Sequence, residues 1–449
     1  MAIRKSDTDY CPTLSEEGRK MLEFLREHPA APIFRNESGN RLVSEELDEL
    51  RAFEQEVAAA HVGWQRGGHP EWLAGFVQQV YEEVPHFRQL GSPPRRFEDI
   101  PTTDRADLSA DIARFVPDGA PLDRLINFRT TGTTGNPLLI ASHPLVAGRY
   151  LAFHKRALRR FGIELRHGAG QVGVVLLGLQ KKCFTYVSVT PTMGDSGLAK
   201  INLHPDDWRR PGDREAYLDA LQAEVIAGDP ISFGELLQLR VQARPRAILS
   251  VGMMLSPGLR AQLESRFACP VLDLYSMNEA GPIGVLDAEA GGHVLLQHRL
   301  YVEILDAHGR AVPEGTPGEI TLSGGFNFCL PLLRYRTGDH GTLGWTPEGP
   351  VLMDLQGRKP VRFQCADGAW VNNIDVTHAL AALPLPQFAL HQEADGGFVL
   401  HLAARAMPHA EAVGKALRTL LGDVRLRVEP IATDGKVLQY TSELEAPAP

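Results

Sequence analysis

At 449 residues the chain is long enough for two or three domains, and its 43% hydrophobic and 22% charged content is that of an ordinary globular protein. A formal net charge of −9 argues against nucleic acid or an anionic membrane surface as the main partner, while leaving room for a local positive cleft. Five scattered cysteines (Cys11, Cys183, Cys269, Cys329, Cys365), none in a C-x-x-C pair, argue against a disulfide framework or a cysteine-based zinc site.

The opening "MAIRKSDTDYCP" has no apolar stretch that reads as a signal peptide. The longest apolar run, "VGVVLLGL" at 172–179, is too short to span a bilayer. The expectation is a cytoplasmic protein. Residues 14–90 are rich in Glu, Leu, Ala and Arg at helical spacing, which predicts a helical lead-in over about 1–90. From about 125 to 355, short β-branched runs such as "RAILSVG", "CPVLDLYS" and "GEITLSGG" alternate with helical segments. That texture predicts an α/β fold with mixed sheets and flanking helices, forming a large domain over 1–356. The remainder, 357–449, reads as a small α+β domain. Its order is the strand "PVRFQ", the helix "NNIDVTHALAAL", a hairpin about "DGG", a helix ending at Gly422, and the strand "DVRLRVEPI".

One stretch stands apart: "RTTGTTGNP" at 129–137 has four threonines and no apolar side chain. Glycines let a backbone approach a ligand closely, and hydroxyls and N–H groups at one point suit an oligophosphate. The following "HPLVAGRYLAFHKRALRRF" predicts a helix over 145–161 whose N-terminal end favours negative charge. A mobile polar turn has the same composition, so the loop alone leaves both readings open. It is neither a P-loop nor a dinucleotide fingerprint.

Four further islands follow in order: "LYSMNEAGP" (274–282), "LLRYRTGDHG" (332–341), "GRKP" (357–360) and "TDGKVLQ" (433–439). With the threonine loop and the lead-in "FEDIPTTDRADLSADIARFVPDGAP", they resemble the adenylate-forming superfamily, most of all its phenylacetate–coenzyme A ligase branch. The resemblance covers roughly residues 85–440. It implies an AMP-forming ligase that activates a carboxylic acid with ATP and Mg2+, then passes the acyl group to a thiol. That thiol is coenzyme A or the phosphopantetheine arm of an acyl or peptidyl carrier protein.

The resemblance also implies residue roles. Thr130, Thr131, Gly132, Thr133, Thr134 and Gly135 match the loop that grasps the β- and γ-phosphates, with Asn136 where many members carry Lys. Tyr275 matches the aromatic that stacks on adenine. Ser276 and Asn278 replace the commoner Gly and Thr beside it. Glu279 matches the carboxylate that binds magnesium, a hard ligand for a hard cation. Asp339 matches the acid that accepts from both ribose hydroxyls. Arg358 matches an arginine that contacts ribose or phosphate, and Lys436 the catalytic lysine of a mobile small domain. Pro360 stands at the hinge where members usually carry Asp or Lys; its ring fixes φ and leaves ψ free. An altered second half-reaction is one expectation from that substitution.

At 100° per residue, Tyr150, Leu151, His154, Ala157, Leu158 and Phe161 share one helix face, with Arg149, Arg156 and Arg160 opposite. Tyr150, His154, Gly252, Met253 and Met277 are candidate lining of an acyl pocket; core packing accounts for each equally well. With no basic residue placed for a second carboxylate, an aromatic or otherwise apolar acid is expected. The "HKRALRR" charges read as a solvated helix face. An amine acceptor, or a degenerate non-catalytic nucleotide- or acyl-binding module, remain the competing readings.

Overall fold

A computed structural model describes residues 6–129, 138–357, 361–432 and 436–444. A twelve-stranded mixed sheet runs through residues 172–356. Edge to edge, its strands are Leu300–Leu305, Gly318–Gly324, Leu332–Thr346, Gly349–Gln356, Gly292–Leu295 and Gly281–Asp287, then Val271–Met277, Ala247–Val251, Val225–Gly228, Val172–Gly178, Ser196–Asn202 and Tyr186–Thr190. From Val271–Met277 to Ser196–Asn202 neighbouring strands are parallel. Outward of that run on both sides they are antiparallel. The expected α/β fold with mixed sheets is thus observed.

Parallel strands need helices on both faces, and the sequence supplies them. Val225–Gly228 is buried at every position. On one face lie Glu16–Glu27, Asp213–Leu221, Pro230–Leu236 and Pro257–Phe267, which share a core with Val175, Ile201 and Ile248. On the other lies Pro144–Arg160, whose Phe153, Ala157 and Leu158 pack on Leu249, Leu272 and Leu274. That helix starts where the His143 ring accepts from the Leu145 N–H at 3.1 Å and Pro144 fixes the first turn.

The helix is less one-sided than its spacing suggests. Ala152 and Phe153 are also buried, because Ser44–Ala59 covers its flank and sets Phe53 edge-on to Phe153 at 5.7 Å. Lys155 pairs with Glu54, Arg149 with Glu49, and Arg156 donates to the carbonyls of Val57, Ala60 and Leu296. These cations fasten one helix to another rather than forming a solvated face.

Residues 361–444 surround a core of their own, built on Phe363, Val376, Leu390, Phe398, Leu400 and Leu417. The hairpin Phe388–Gln392/Phe398–Leu402 turns at Gly396, φ +83°, as its Asp-Gly-Gly composition requires. Leu426–Pro430 adds a parallel strand on one side. On the other, Tyr440–Ser442 pairs parallel to Phe388–Gln392, a strand the sequence reading did not contain. It anchors the chain just beyond Lys436.

Candidate functional site

In open sheets of this kind, ligands meet the carboxyl ends of the parallel strands. Asp229, Gly252 and Glu279 each follow such an end, after Val225–Gly228, Ala247–Val251 and Val271–Met277. The last of these strands is the seam between the parallel and antiparallel halves. Its pairing with Gly281–Asp287 slips between Tyr275 and Ser276, an irregularity that re-aims neighbouring side chains.

Tyr275 is buried at this seam and donates its hydroxyl to Asp339 Oδ2 at 2.9 Å. Burial first, then the Asp339 charge, push the phenol well above its ordinary range. Asp339 projects from a kink in the long strand Leu332–Thr346. There Gly338 takes φ +80°, its N–H donates to Glu319 at 3.0 Å, and the Asp339 N–H donates to Thr337 Oγ1 at 3.1 Å. A glycine before the acid is therefore a backbone requirement.

Glu279 sits in the turn after Met277 and is only 5% exposed. Arg105 Nη1 donates to its Oε1 at 3.3 Å, and the Tyr335 hydroxyl reaches the same oxygen at 3.5 Å. Burial pushes the Glu279 carboxyl up, and the nearby Arg105 charge opposes this. The Glu279 charge is also felt by Tyr150, whose ring packs on Phe326 at 5.1 Å.

Arg105 arrives from the lead-in, far away in sequence. The Thr103 N–H donates to Arg334 O at 3.1 Å and Thr103 O accepts from the Arg336 N–H at 2.7 Å, pinning the lead-in beside the strand. The Arg334 guanidinium, nearly fully buried, donates to the carbonyls of Glu98, Ile100 and Gly309 and pairs with Glu303 at 3.2 Å. Arg334 holds φ +45°, an uncommon conformation for a side chain of this size. Asp104 then caps a short helix, Arg105–Ala110, accepting from the Ala106 and Asp107 N–H groups.

Lys436 approaches from the C-terminal unit. Its Nζ donates to Gly252 O at 2.6 Å, and burial pulls the amine below its ordinary value while Asp229 opposes the shift. Gly252 lies at φ +74°, and a Cβ there would stand 3.2 Å from Nζ. The docking around this contact is close. The Gly258 N–H donates to Ala381 O at 2.9 Å, Ser256 Oγ to Leu383 O at 3.2 Å, and Asn373 Nδ2 to Gln356 Oε1 at 2.8 Å. Arg405 pairs with the buried Glu235, which Arg214 also holds at 2.6 Å. A cavity of about 140 Å³ remains beside the junction, lined among others by Met254, Gln356, Asn373, His378 and Tyr440.

The structure thus gathers Tyr275, Glu279, Asp339 and Tyr150 on one side and sets Lys436 against Gly252 on the other. Asn278 is exposed; Ser276, Met277 and Met253 are half-buried. Met277 packs with the core that holds Tyr275. His154 is half-buried, and desolvation of the ring pulls its imidazole down to about 4, so the ring is neutral at pH 7. Thr130, Thr131, Gly132, Thr133, Thr134, Gly135, Asn136, Arg358 and Pro360 lie outside the described residues. Arg105, Asp229, Gly258 and Arg405 were missed by sequence reasoning. Only for Arg105 was there a local signal, the Asp104-x-x-Asp107 capping box that opens its helix.

Among the described residues no three His, Cys, Asp or Glu side chains cluster as a metal cage, and no helix is long and apolar enough to cross a membrane. A single buried carboxylate such as Glu279 suits a hard cation that brings its remaining oxygen ligands from elsewhere. The five cysteines are all unpaired thiols.

Comparison with known proteins agrees with the geometry. Residues 171–328 match the family model described as AMP-binding enzyme. A curated phenylacetate–coenzyme A ligase from Aromatoleum evansii is 24% identical over 301 residues, 60% of this chain and 64% of that protein, so the match spans just under two thirds of the relative. A solved 2-hydroxyisobutyryl-CoA ligase in the postadenylation state, with R3-HIB-AMP, superposes with TM-score 0.59 at 16% identity, over 88% of this chain and 90% of that one. The same ligase in its thioesterification state, with 2-HIB-AMP and CoA, gives TM-score 0.50 at 17% identity over the same shares, 88% and 90%. The resemblance read from the five islands is borne out, and the chain has the fold of the adenylate-forming ligases.

Proposed function

We propose that this chain is an ATP-dependent, AMP-forming acid–thiol ligase. In the first step a carboxylate oxygen of the acid attacks the α-phosphorus of ATP, the bond to the bridging oxygen breaks, and pyrophosphate leaves. In the second, a thiol sulfur attacks the acyl carbon, AMP leaves, and the thiol proton goes to solvent. Negative charge builds on the α-phosphoryl and leaving oxygens, so fixed donors and cations carry most of the catalysis.

The observation that carries this reading is the Tyr275–Asp339 hydrogen bond beside a buried Glu279, at the strand ends, with Lys436 delivered to Gly252 opposite. In the proposed division of labour, Tyr275 offers its ring to adenine. Asp339 accepts from the ribose hydroxyls, and Lys436 neutralises the α-phosphate. Glu279 is the residue that would hold magnesium; when bound, the ion offsets phosphate charge and organises the triphosphate. Thr130–Gly135 and Arg358 remain proposed phosphate and ribose contacts by resemblance.

The acid is proposed to be apolar, with Tyr150 and Met277 near its carboxyl end. A neutral His154 favours a hydrogen-bonding or apolar substituent over a second carboxylate. Coenzyme A is the favoured acceptor, since the named relatives are coenzyme A ligases. The better superposition on a postadenylation than on a thioesterification state supports a C-terminal unit, from about residue 357, seated for the first step. A swing about Pro360 would then precede the second.

The test is exchange of labelled pyrophosphate into ATP across a panel of aromatic, aliphatic and dicarboxylic acids. Exchange that requires an apolar acid is the expected result. No exchange with any acid, alongside tight ATP binding, would replace the ligase by a nucleotide-binding module.

A further inference from the structure

We propose that Arg405 is a positioning residue for the adenylation step: through Glu235 it holds the C-terminal unit in the seat that presents Lys436. This role presupposes the proposed first step, in which Lys436 meets the α-phosphate. Glu235 lies on the helix Pro230–Leu236 and is only 4% exposed. Its two carboxylate oxygens are divided between two arginines. Oε1 accepts from Arg214 Nη1 at 2.6 Å, within the same body, and Oε2 pairs with Arg405 Nη2 from the C-terminal unit. Arg405 Nη1 also reaches Gly234 O at 3.5 Å, and Arg214 Nη1 donates to Leu203 O at 3.1 Å. The two bodies approach closely here: a Cβ on Gly234 would lie 2.7 Å from Pro386 Cγ.

Both ends of this pair are geared to the Lys436 contact. Asp229, which caps the helix bearing Glu235, follows the strand Val225–Gly228; Gly252 follows its parallel neighbour Ala247–Val251. Arg405 follows Phe398–Leu402, and the chain after Lys436 enters Tyr440–Ser442, a strand of the same four-stranded sheet. Fixing Arg405 on Glu235 therefore fixes where Lys436 arrives. The seat is also built to let go. Among the described residues, the C-terminal core draws on none before Val361, so the apolar cores stay separate and the junction relies on polar contacts, as between domains that move. Departure of Arg405 leaves Glu235 with Arg214, so no buried carboxylate is stranded without a counter-charge. Burial first, then the Arg214 charge, pull the Arg405 guanidinium below its ordinary range, so the seated cation is held without being locked. An ion pair that fixes geometry at little net gain suits a unit that swings away for the second step.

The experiment follows amide hydrogen exchange at Gly258 in wild type, Arg405→Gln and Arg405→Lys. Gly258 lies in a helix's first turn, where an N–H has no partner within the helix; its partner is Ala381 O of the C-terminal unit, so its protection reports the seat. Arg405→Gln is expected to lower that protection ~5- to 20-fold while the Ile248 amide, bonded to Pro270 O inside the large sheet, stays as in wild type. Arg405→Lys, which keeps the charge and loses the fork, should lose less. In pyrophosphate exchange, Arg405→Gln should lower kcat ~3- to 10-fold with the KM for ATP within ~2-fold, and should add nothing to the loss caused by Lys436→Ala. Unchanged Gly258 protection in Arg405→Gln overturns the proposal, as does an equal loss at Ile248, the mark of general damage. Losses that multiply when Arg405→Gln and Lys436→Ala are combined also overturn it, since Arg405 would then not act through the lysine. Should the Gln variant not fold, Arg405→Lys decides, and wild-type protection and kcat in it count against the proposal. If no acid supports exchange, the ligase reading fails on its own, while the Gly258 amide still decides whether Arg405 holds the seat.

Discussion

The two sides of the candidate site are built differently. On the strand side, Tyr275 and Asp339 sit on one continuous sheet and Glu279 in a turn joining two of its strands, and each polar group has a partner inside the same body. On the other side, Lys436 belongs to a unit with a separate core and meets the sheet through one hydrogen bond to Gly252. Its position depends on how that unit is seated at Gly258, Ser256, Glu235 and Gln356. Under the proposed function the difference would amount to a division of labour: a half built into the sheet for binding, and a docked half for a charge needed in only one step.

The largest test of that division is Lys436→Ala against Asp339→Ala. Loss of the lysine is expected to lower the exchange kcat ~10²–10³-fold with little change in the KM for ATP. Loss of Asp339 should act chiefly on ATP affinity. If both variants moved the same constant by the same factor, the two halves would not differ in kind.

A sharper, smaller effect is expected at Gly258. A Cβ there would lie 2.6 Å from Ala382 O and from the Leu383 carbonyl carbon, backbone atoms with little freedom to give. Gly258→Ala should therefore unseat the C-terminal unit and reduce exchange by about 10-fold, an effect equivalent to ~1.4 kcal/mol. The alanine is a better helix former, so the thermal midpoint should hold or rise. A midpoint that fell along with exchange would mean general damage rather than a lost seat.

The smallest effect concerns acid. His154 and His293 are both pulled down to about 4 by burial, from an ordinary value near 6.5. A depressed folded value means the unfolded chain binds more protons between those limits, so stability rises with pH through that window and is lost as pH falls from 6.5 toward 4. Replacing His154 by Leu should flatten this slope, narrowing the drop in thermal midpoint between pH 7 and 4.5 by a few degrees, on the order of 2–4 °C. An unchanged slope would place the acid sensitivity elsewhere, with the docked half included.

How far the sequence reached follows the same line. The hairpin at Asp395–Gly397, the helix ending at Gly422 and the β-branched strands were legible because composition and period act locally. Tyr275, Glu279 and Asp339 were singled out through the resemblance that "LYSMNEAGP" and "LLRYRTGDHG" carry, whereas the slipped pairing after Tyr275 and the kink at Gly338 that aim them emerged only on folding. The helix Pro144–Arg160 was read only in part. Its period exposed one apolar face, but whether Ala152 and Lys155 meet solvent depends on another helix a hundred residues earlier. The strand Tyr440–Ser442 is too short for any pattern to mark it.

What the amino-acid order determined by itself is the list of elements and the chemistry each could carry, because caps, turns and alternation are set within a few residues of one another. Which of those groups touch was decided only on folding. Arg105 meets Glu279, and Gly258 receives Ala381, because sheet twist and side-chain volume bring distant segments into register. Such contacts are stabilised by what each partner finds opposite it, and no local stretch contains that information.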